Sequence, residues 1–408
     1  MNASPACGAS YRLQFNRDFT VDHAIAILPY LRALGITHVY ASPLLKARAG
    51  SPHGYDIVDH GRLNPEIGDA AGFERFFDAL DAHGLGLILD IVPNHMGVGG
   101  DDNGWWLDVL EHGEASACEG YFDIDWHPVN ASLRGKVLAP VLGNDYGSVL
   151  EAGELKLGFD PATGAFSVRY FAHLFPLDPR TVPTILSHDL EALGRHPADG
   201  PGALRELQAL LDAFRSLPRR TERSHARRRR RRREAADGKA ALAALCRERP
   251  AVLAHVEASI ARFNGTPGEP ASFDRLHRLL ENQAYRLAYW VVAADDINYR
   301  RFFDINDLAG IRMENPEVFE ATHRLIGELI GHGHVHGLRI DHPDGLADPH
   351  GYYDDLARLV DRARPPAPDA AQLPVPVYVE KILASYERLP TDWPVTGTTG
   401  YEAAHQLN

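Results

Sequence analysis

Two apolar runs that each end in a carboxylate, with one helix of chain between them, constrain this sequence more than any other feature. The first is His336-Gly337-Leu338-Arg339-Ile340-Asp341-His342-Pro343-Asp344-Gly345, where Leu338 and Ile340 alternate with Arg339 and Asp341 before a Pro-Asp-Gly turn. Alternation of this kind is the period of a strand. The second, residues 375–383, reaches Glu380 at the end of Val377-Tyr378-Val379. Between them, residues 351–364 repeat apolar side chains at helical spacing: Tyr352, Leu356, Leu359 and Val360. Strand, helix, strand is a βαβ unit, so the two strands are predicted to be parallel.

Burying Arg339 and Asp341 at a strand end is expensive unless they pair with each other or with a ligand. Alone, Arg-x-Asp reads as a structural ion pair capping a strand. Glu380 changes that reading. If the two strands are neighbours, their ends lie ~5 Å apart, and two carboxylates about 5–5.5 Å apart are what a retaining glycosidase uses. Asp341 is then the nucleophile and Glu380 the general acid/base.

The same alternation opens the chain. Residues 11–15 read as a strand, 21–34 as a helix with Gly35 after it, 36–40 as a second strand, 42–64 as a loop, 70–83 as a helix and 85–92 as a third strand. Repeated βα units predict a parallel α/β architecture with active residues in the loops after the strands. The alternation stops at Pro93-Asn94-His95. From residue 96 to about 294 the pattern is mixed: hairpin-like pieces at 155–159 and 166–171, then helices at 204–214, at 240–263 with a break at Pro250, and at 273–294. The α/β pattern resumes at 300–304 and continues through a helix at 316–330, with Asn315 as N-cap and Pro316 in its first turn. The predicted organisation is therefore strands 1–3 in residues 8–95, an insertion in 96–294, and strands 4–5 with the start of a sixth in 295–408. A closed barrel of this class needs eight strands, so the sequence is expected to be C-terminally incomplete.

Charge narrows the partner. A formal net charge of -13 sets up a field that repels phosphates, which argues against nucleic acid and anionic membranes and for a neutral ligand such as a sugar. Seven consecutive arginines at 227–233, preceded by Arg219, Arg220 and Arg223, are expected to form a solvated, self-repelling, partly disordered stretch. Cys7, Cys118 and Cys246 stand too far apart for a disulfide framework or a zinc site. With no signal-like start and no run of about 18 apolar residues, the expectation is a soluble cytoplasmic protein.

Polar clusters follow the early strands. Asp90, Asn94 and His95 close the third, and His53, Tyr55 and Asp56 follow the second. Both sets suit a pyranose ring, the first through hydrogen bonds to hydroxyls and the second through an aromatic face with a His and an Asp. Trp105 and Trp106 read as sugar platform or insertion core. His332, His334 and His336 alternate, but no acid or Cys stands among them, and no metal site is expected. Residues 304–308 read as a loop at the rim of the site.

Asp90-Ile91-Val92-Pro93-Asn94-His95, Gly337-Leu338-Arg339-Ile340-Asp341 and Val379-Glu380, in that order and each at a strand end, resemble signature regions of the α-amylase superfamily of (β/α)8-barrel glycosidases. The resemblance implies a TIM-barrel catalytic domain, here its first five or six βα units, with a large mixed α+β insertion (domain B) after strand 3. More narrowly, residues 11–15, 40–44, 51–56, 339–346, 379–383 and 396–401 resemble the maltooligosyltrehalose synthases. The Asp341-His342-Pro343-Asp344 sequence departs from the plain amylase pattern and favours that group. What this implies is an isomerase: intramolecular transglucosylation of the reducing-end α-1,4 bond of a maltooligosaccharide to an α,α-1,1 bond, without a cofactor. Asp341, Glu380 and Arg339 would be catalytic, and His53, Tyr55, Asp56, Asp90, Asn94, His95 and His342 would hold the sugar. It also implies a trehalose-releasing hydrolase acting downstream, and a third carboxylate for which no motif after Glu380 offers a candidate. An α-glucan hydrolase of the same superfamily, or a non-catalytic glucan-binding fragment, are the competing readings.

Overall fold

Six parallel strands run in sequence order across one sheet: β1 (Ser10–Leu13), β2 (His38–Ala41), β3 (Gly86–Ile91), β4 (Gly337–Ile340), β5 (Val377–Val379) and β6 (Gly397–Thr398). They belong to a computed structural model that describes residues 7–195, 200–364 and 375–407. Helices supply the crossovers: Val21–Ala33, Ala70–Ala82, Pro316–Gly331 and Pro349–Ala363. Three of the four start on side-chain caps, with Asp69, Asn315 and Asp348 accepting from the backbone N–H of Gly72, Glu317 and Gly351, which satisfies donors that no helical carbonyl reaches. The sheet is the first six-strand arc of a (β/α)8 fold, with β1 and β6 at its edges.

Burial explains the strand sequences. All six residues of β3 and all four of β4 are buried, as expected for a parallel sheet covered on both faces. Phe73, Phe76, Phe77 and Leu80 form the buried stripe of one crossover helix. Each such side chain contributes roughly 1.5–3 kcal/mol on leaving water.

The described chain forms two compact units, one made of the segments up to Val98 and from Arg301 onward, the other of Gly99–Arg300. In the first, the expected loop after β2 contains an antiparallel pair, Leu45–Ala47 with Ile57–Leu63. The stretch at 300–304 does not rejoin the parallel sheet: Arg301–Phe302 pairs with Ile305–Gly310, which pairs in turn with His95–Gly97.

The second unit holds the antiparallel strands Lys156–Asp160, Ala165–Tyr170 and His173–Pro176 and the helices Gly200–Ser216, His225–Glu248 and Pro250–Phe263. Trp106 sits in its core against Phe122 and Tyr299. One expectation is corrected here. The helix predicted over 273–294 ends at Glu281, and Tyr285–Tyr289 is a strand paired in parallel with Val137–Leu142. Tyr285 and Leu287 are buried while Arg286 is exposed, a period of two that the apolar content of the segment hides.

The arginine run lies within the helix His225–Glu248, with Arg227, Arg229, Arg230 and Arg233 solvated as expected but Arg231 not. Arg231 is fully buried, its Nη2 2.6 Å from Asp178 Oδ1 and its Nη1 donating to the carbonyl of Pro218. Arg228 donates to the carbonyl of Glu222 and Arg232 to that of Ala115. Fixed acceptors offset the self-repulsion that composition alone predicts.

Candidate active site

The residues that gather at the ends of the strands do so through register. Arg339 on β4 stands opposite Asp90 on β3 and Tyr378 on β5. The amide of Asp341 donates to Ile91 and that of Glu380 to Ile340, so the two carboxylates leave adjacent parallel strands one residue past their last pairs. The condition set by the sequence, that the strands be neighbours, is met.

Arg339, 6% exposed, joins three carboxylates. Its Nη1 lies 2.8 Å from Asp90 Oδ1 and 2.7 Å from Asp341 Oδ1, and its Nη2 lies 2.9 Å from Glu380 Oε1. Tyr40 and Tyr55 donate to the other oxygen of Asp90 at 2.8 and 2.6 Å, and Arg12 Nη2 donates to the Tyr55 hydroxyl at 3.0 Å. The second oxygen of Glu380 accepts from the backbone N–H of His342 at 3.0 Å. His342 takes a left-handed conformation, φ 43°, uncommon for a residue with a side chain. Charged hydrogen bonds of these lengths are the strong kind, and they fix the side chains before any ligand arrives.

Electrostatics follow from this packing. Burial pushes the Asp341 carboxyl up to about 7; Arg339 pulls it down, and the negative charges of Asp90 and Glu380 raise it further. Burial likewise raises Asp90 against the pull of Arg339 and the tyrosine hydroxyls. Tyr40 and Tyr55 are raised by burial and by Asp90, so both remain neutral donors. For Arg339 burial alone would lower the pKa, but Asp90, Tyr40 and Asp341 outweigh it and the guanidinium stays charged.

A cavity of about 550 Å³ opens onto this cluster, lined by Asp341, Glu380 and Arg339 together with Tyr55, His53 and His95. His95 Nε2 meets the carbonyl of Tyr55 at 3.1 Å, and its ring packs 4.3 Å from Phe302. The remaining expected residues do not line the cavity. Asp90 is buried under the two tyrosines, Asn94 is buried beside His95, Asp56 accepts from Ser51 Oγ at 2.5 Å, and His342 packs against Phe302 and Phe303. Arg12, Tyr40, Phe302, Thr399 and Tyr401 also line it without having been singled out as site residues, and so do Ile305 and Leu308, from the stretch 304–308 expected at the rim of the site. Arg12 and Tyr40 occupy strand positions, where period alone separates neither a ligand contact from a sheet contact. From Ile305 onward the stretch 304–308 is strand rather than loop: Ile305–Gly310 pairs antiparallel with His95–Gly97, and Phe302 reaches the cavity by pairing with Ile305.

Among the described residues no group of three or more His, Cys, Asp and Glu is placed to hold a metal ion. His332 caps the C-terminus of the helix Pro316–Gly331, His334 stacks on Phe77, and His336 Nδ1 accepts from Leu87. No helix among these residues is long and apolar enough to cross a membrane.

Comparison with known proteins agrees with this geometry. The family description "Alpha amylase, catalytic domain" matches residues 21–149. A putative maltooligosyl trehalose synthase of Mycobacterium tuberculosis is 30% identical over 413 residues, covering 98% of this chain and 38% of that protein. The structure of maltooligosyltrehalose synthase from Arthrobacter ramosus is 32% identical and superposes with a TM-score of 0.64, covering 97% of this chain and 37% of that one. Neopullulanase 2 of Thermoactinomyces vulgaris is 37% identical over 107 residues, 26% of this chain and 17% of that protein. The chain thus spans less than two fifths of the length of the synthases it matches. Residues 21–149 are thus similar to the α-amylase catalytic domain, and along nearly its whole length the chain is similar to the maltooligosyl trehalose synthases.

Proposed function

We propose that this chain carries the nucleophile and the acid/base of a maltooligosyltrehalose synthase: an isomerase that moves the reducing-end glucose of a linear α-1,4-glucan from an α-1,4 to an α,α-1,1 linkage by a retaining double displacement. The observation that carries the reading is the single buried guanidinium of Arg339 shared by Asp90, Asp341 and Glu380 at the ends of three adjacent parallel strands. Similarity to synthases over 98% of the chain chooses among the reactions such a pair can run.

In the first displacement Glu380 protonates the departing glycosidic oxygen while Asp341 attacks the anomeric carbon. A retaining pair enters this step with one proton on the acid and none on the nucleophile. With Asp341 lifted to about 7, that carboxyl carries a proton part of the time at neutral pH, and the first displacement requires it ionised. The freed glucose then turns in the cavity and attacks through its anomeric hydroxyl, with Glu380 now the base. Arg339 keeps Asp341 oriented throughout. Tyr55, His53 and His95 line the wall that would hold the ring at the cleavage point, while Asp90, Asn94, Asp56 and His342 fix those residues and the carboxylates from behind. Each step balances with protein side chains alone, so no cofactor enters. The proposal extends to a cytoplasmic setting and to a downstream hydrolase that releases trehalose from the product.

Incubation with maltopentaose, followed by separation of reducing from non-reducing products, tests it. The reading predicts a non-reducing pentasaccharide ending in an α,α-1,1 unit. Glucose and maltose without any non-reducing product would place the chain among the hydrolases instead.

A further inference from the structure

The Gly99–Arg300 unit contains a second cavity, of about 400 Å³, that no part of the reading above uses. Its floor is apolar: Leu133, Leu138, Leu280 and Leu287 are each at most 5% exposed, on and around the strand pair Val137–Leu142 and Tyr285–Tyr289. Polar groups ring that floor, and most are held in place. Tyr146 hydroxyl meets His277 Nδ1 at 3.1 Å, and Asn130 Nδ2 donates to Asp296 Oδ1 at 3.2 Å. Asp145 caps the helix Tyr146–Glu151, and Glu281 lies 3.8 Å from Lys136. Tyr289 is half-buried on the wall, and the exposed Arg286 beside it makes no hydrogen bond or ion pair with another described residue.

These groups exclude most ligand chemistries. An anion would meet three carboxylates, Asp145, Glu281 and Asp296, against the single free guanidinium of Arg286. An apolar ligand would strip water from those carboxylates without replacing it. A metal ion lacks a cluster of ligating side chains among the described residues. A neutral ring carrying many hydroxyls fits: the carboxylates accept, Arg286 and Tyr146 donate, and Tyr289 offers a ring face. The phenol of Tyr146 stays protonated because burial raises its pKa, with Glu281 adding to the effect.

We propose that this cavity is a second carbohydrate-binding site, taking one end of an α-1,4-glucan apart from the carboxylate pair. The polyol chemistry stands on the cavity alone, whereas the choice of an α-1,4-glucan rests on the function proposed above.

Isothermal titration of the 408-residue protein with maltotriose tests it. Two binding events are expected. Tyr55→Ala should remove one, and Tyr289→Ala combined with Arg286→Ala the other, the second variant keeping the thermal midpoint of the parent. Should the double variant lose its fold, Arg286→Ala alone, at an exposed position, should still weaken the second event at least five-fold. A single event abolished by Tyr55→Ala overturns the second site and leaves the proposed function standing. Binding lost only in the Tyr289 and Arg286 variants upholds the second site and counts against the proposed function. Binding of inorganic phosphate in place of maltotriose at this site overturns the assignment to a neutral sugar.

Discussion

Taking away the Arg339 guanidinium would leave two buried carboxylates, Asp90 and Asp341, and the partly exposed Glu380 with no cation between them. Arg339→Ala is therefore expected to destabilise the protein by on the order of 3–5 kcal/mol, and Arg339→Lys by less, because the charge is kept although a point charge cannot fork between Asp341 and Glu380; chemical denaturation checks both. Asp341→Asn and Glu380→Gln should each remove turnover by at least about three orders of magnitude, since each deletes a bond-forming or proton-transfer step, and initial rates on maltopentaose decide it. Asp341 also sets a pH dependence. Its folded pKa of about 7 lies above the unfolded value of about 3.9, so the folded state binds more protons between those pH values and this group loses stability as pH rises through them. Asp341→Asn should then be at least as stable as wild type at pH 8, with a flatter stability profile from pH 5 to 8. Asp341, Glu380 and Arg339 were legible in the sequence because each stands out against an apolar alternation that has no other reason to contain it. Phe302 was not, since it reaches the cavity through Ile305–Gly310, a strand that pairs with His95–Gly97 across about 210 positions of chain; the stretch 304–308 was legible as the rim of the site but not as a strand.

Among the elements, helices and parallel strands were read correctly wherever caps and period agreed. Asn315 and Pro316 mark the start of Pro316–Gly331, and the first five parallel strands lie within about two residues of their predicted ends. Period failed where tertiary pairing overrode it, at Tyr285–Tyr289. Charge failed at the arginine run, because no local pattern tells Arg231, which meets Asp178, from Arg229 and Arg233, which face solvent. That difference is measurable. Arg231→Ala strands Asp178 and should cost on the order of 3 kcal/mol, whereas Arg229→Ala and Arg233→Ala should each change stability by under about 0.5 kcal/mol. Equal effects at the three positions would contradict the buried pair.

For the molecule as a whole, acid should be the main chemical stress. His38, His60 and His323 are held down to about 4, 3 and 4, in each case chiefly by burial. Their folded pKa values lie below the unfolded value of about 6.5, so the unfolded chain binds more protons as pH falls from 6.5 toward 4 and stability is lost across that window. Asp341 and Asp90, both raised, work in the opposite sense, but His112, His334 and His336 are lowered as well, which leaves a net loss, and the thermal midpoint should fall steadily below pH 6. The central claim concerns bond-making at Asp341, and mass spectrometry tests it most directly. The protein is incubated with an α-maltosyl fluoride modified to slow the second displacement, then weighed intact and mapped by peptides. The account predicts one glycosyl group on the peptide that contains Asp341 and none in Asp341→Asn. A label on another carboxylate, or consumption of the fluoride with inverted product and no label, would contradict it.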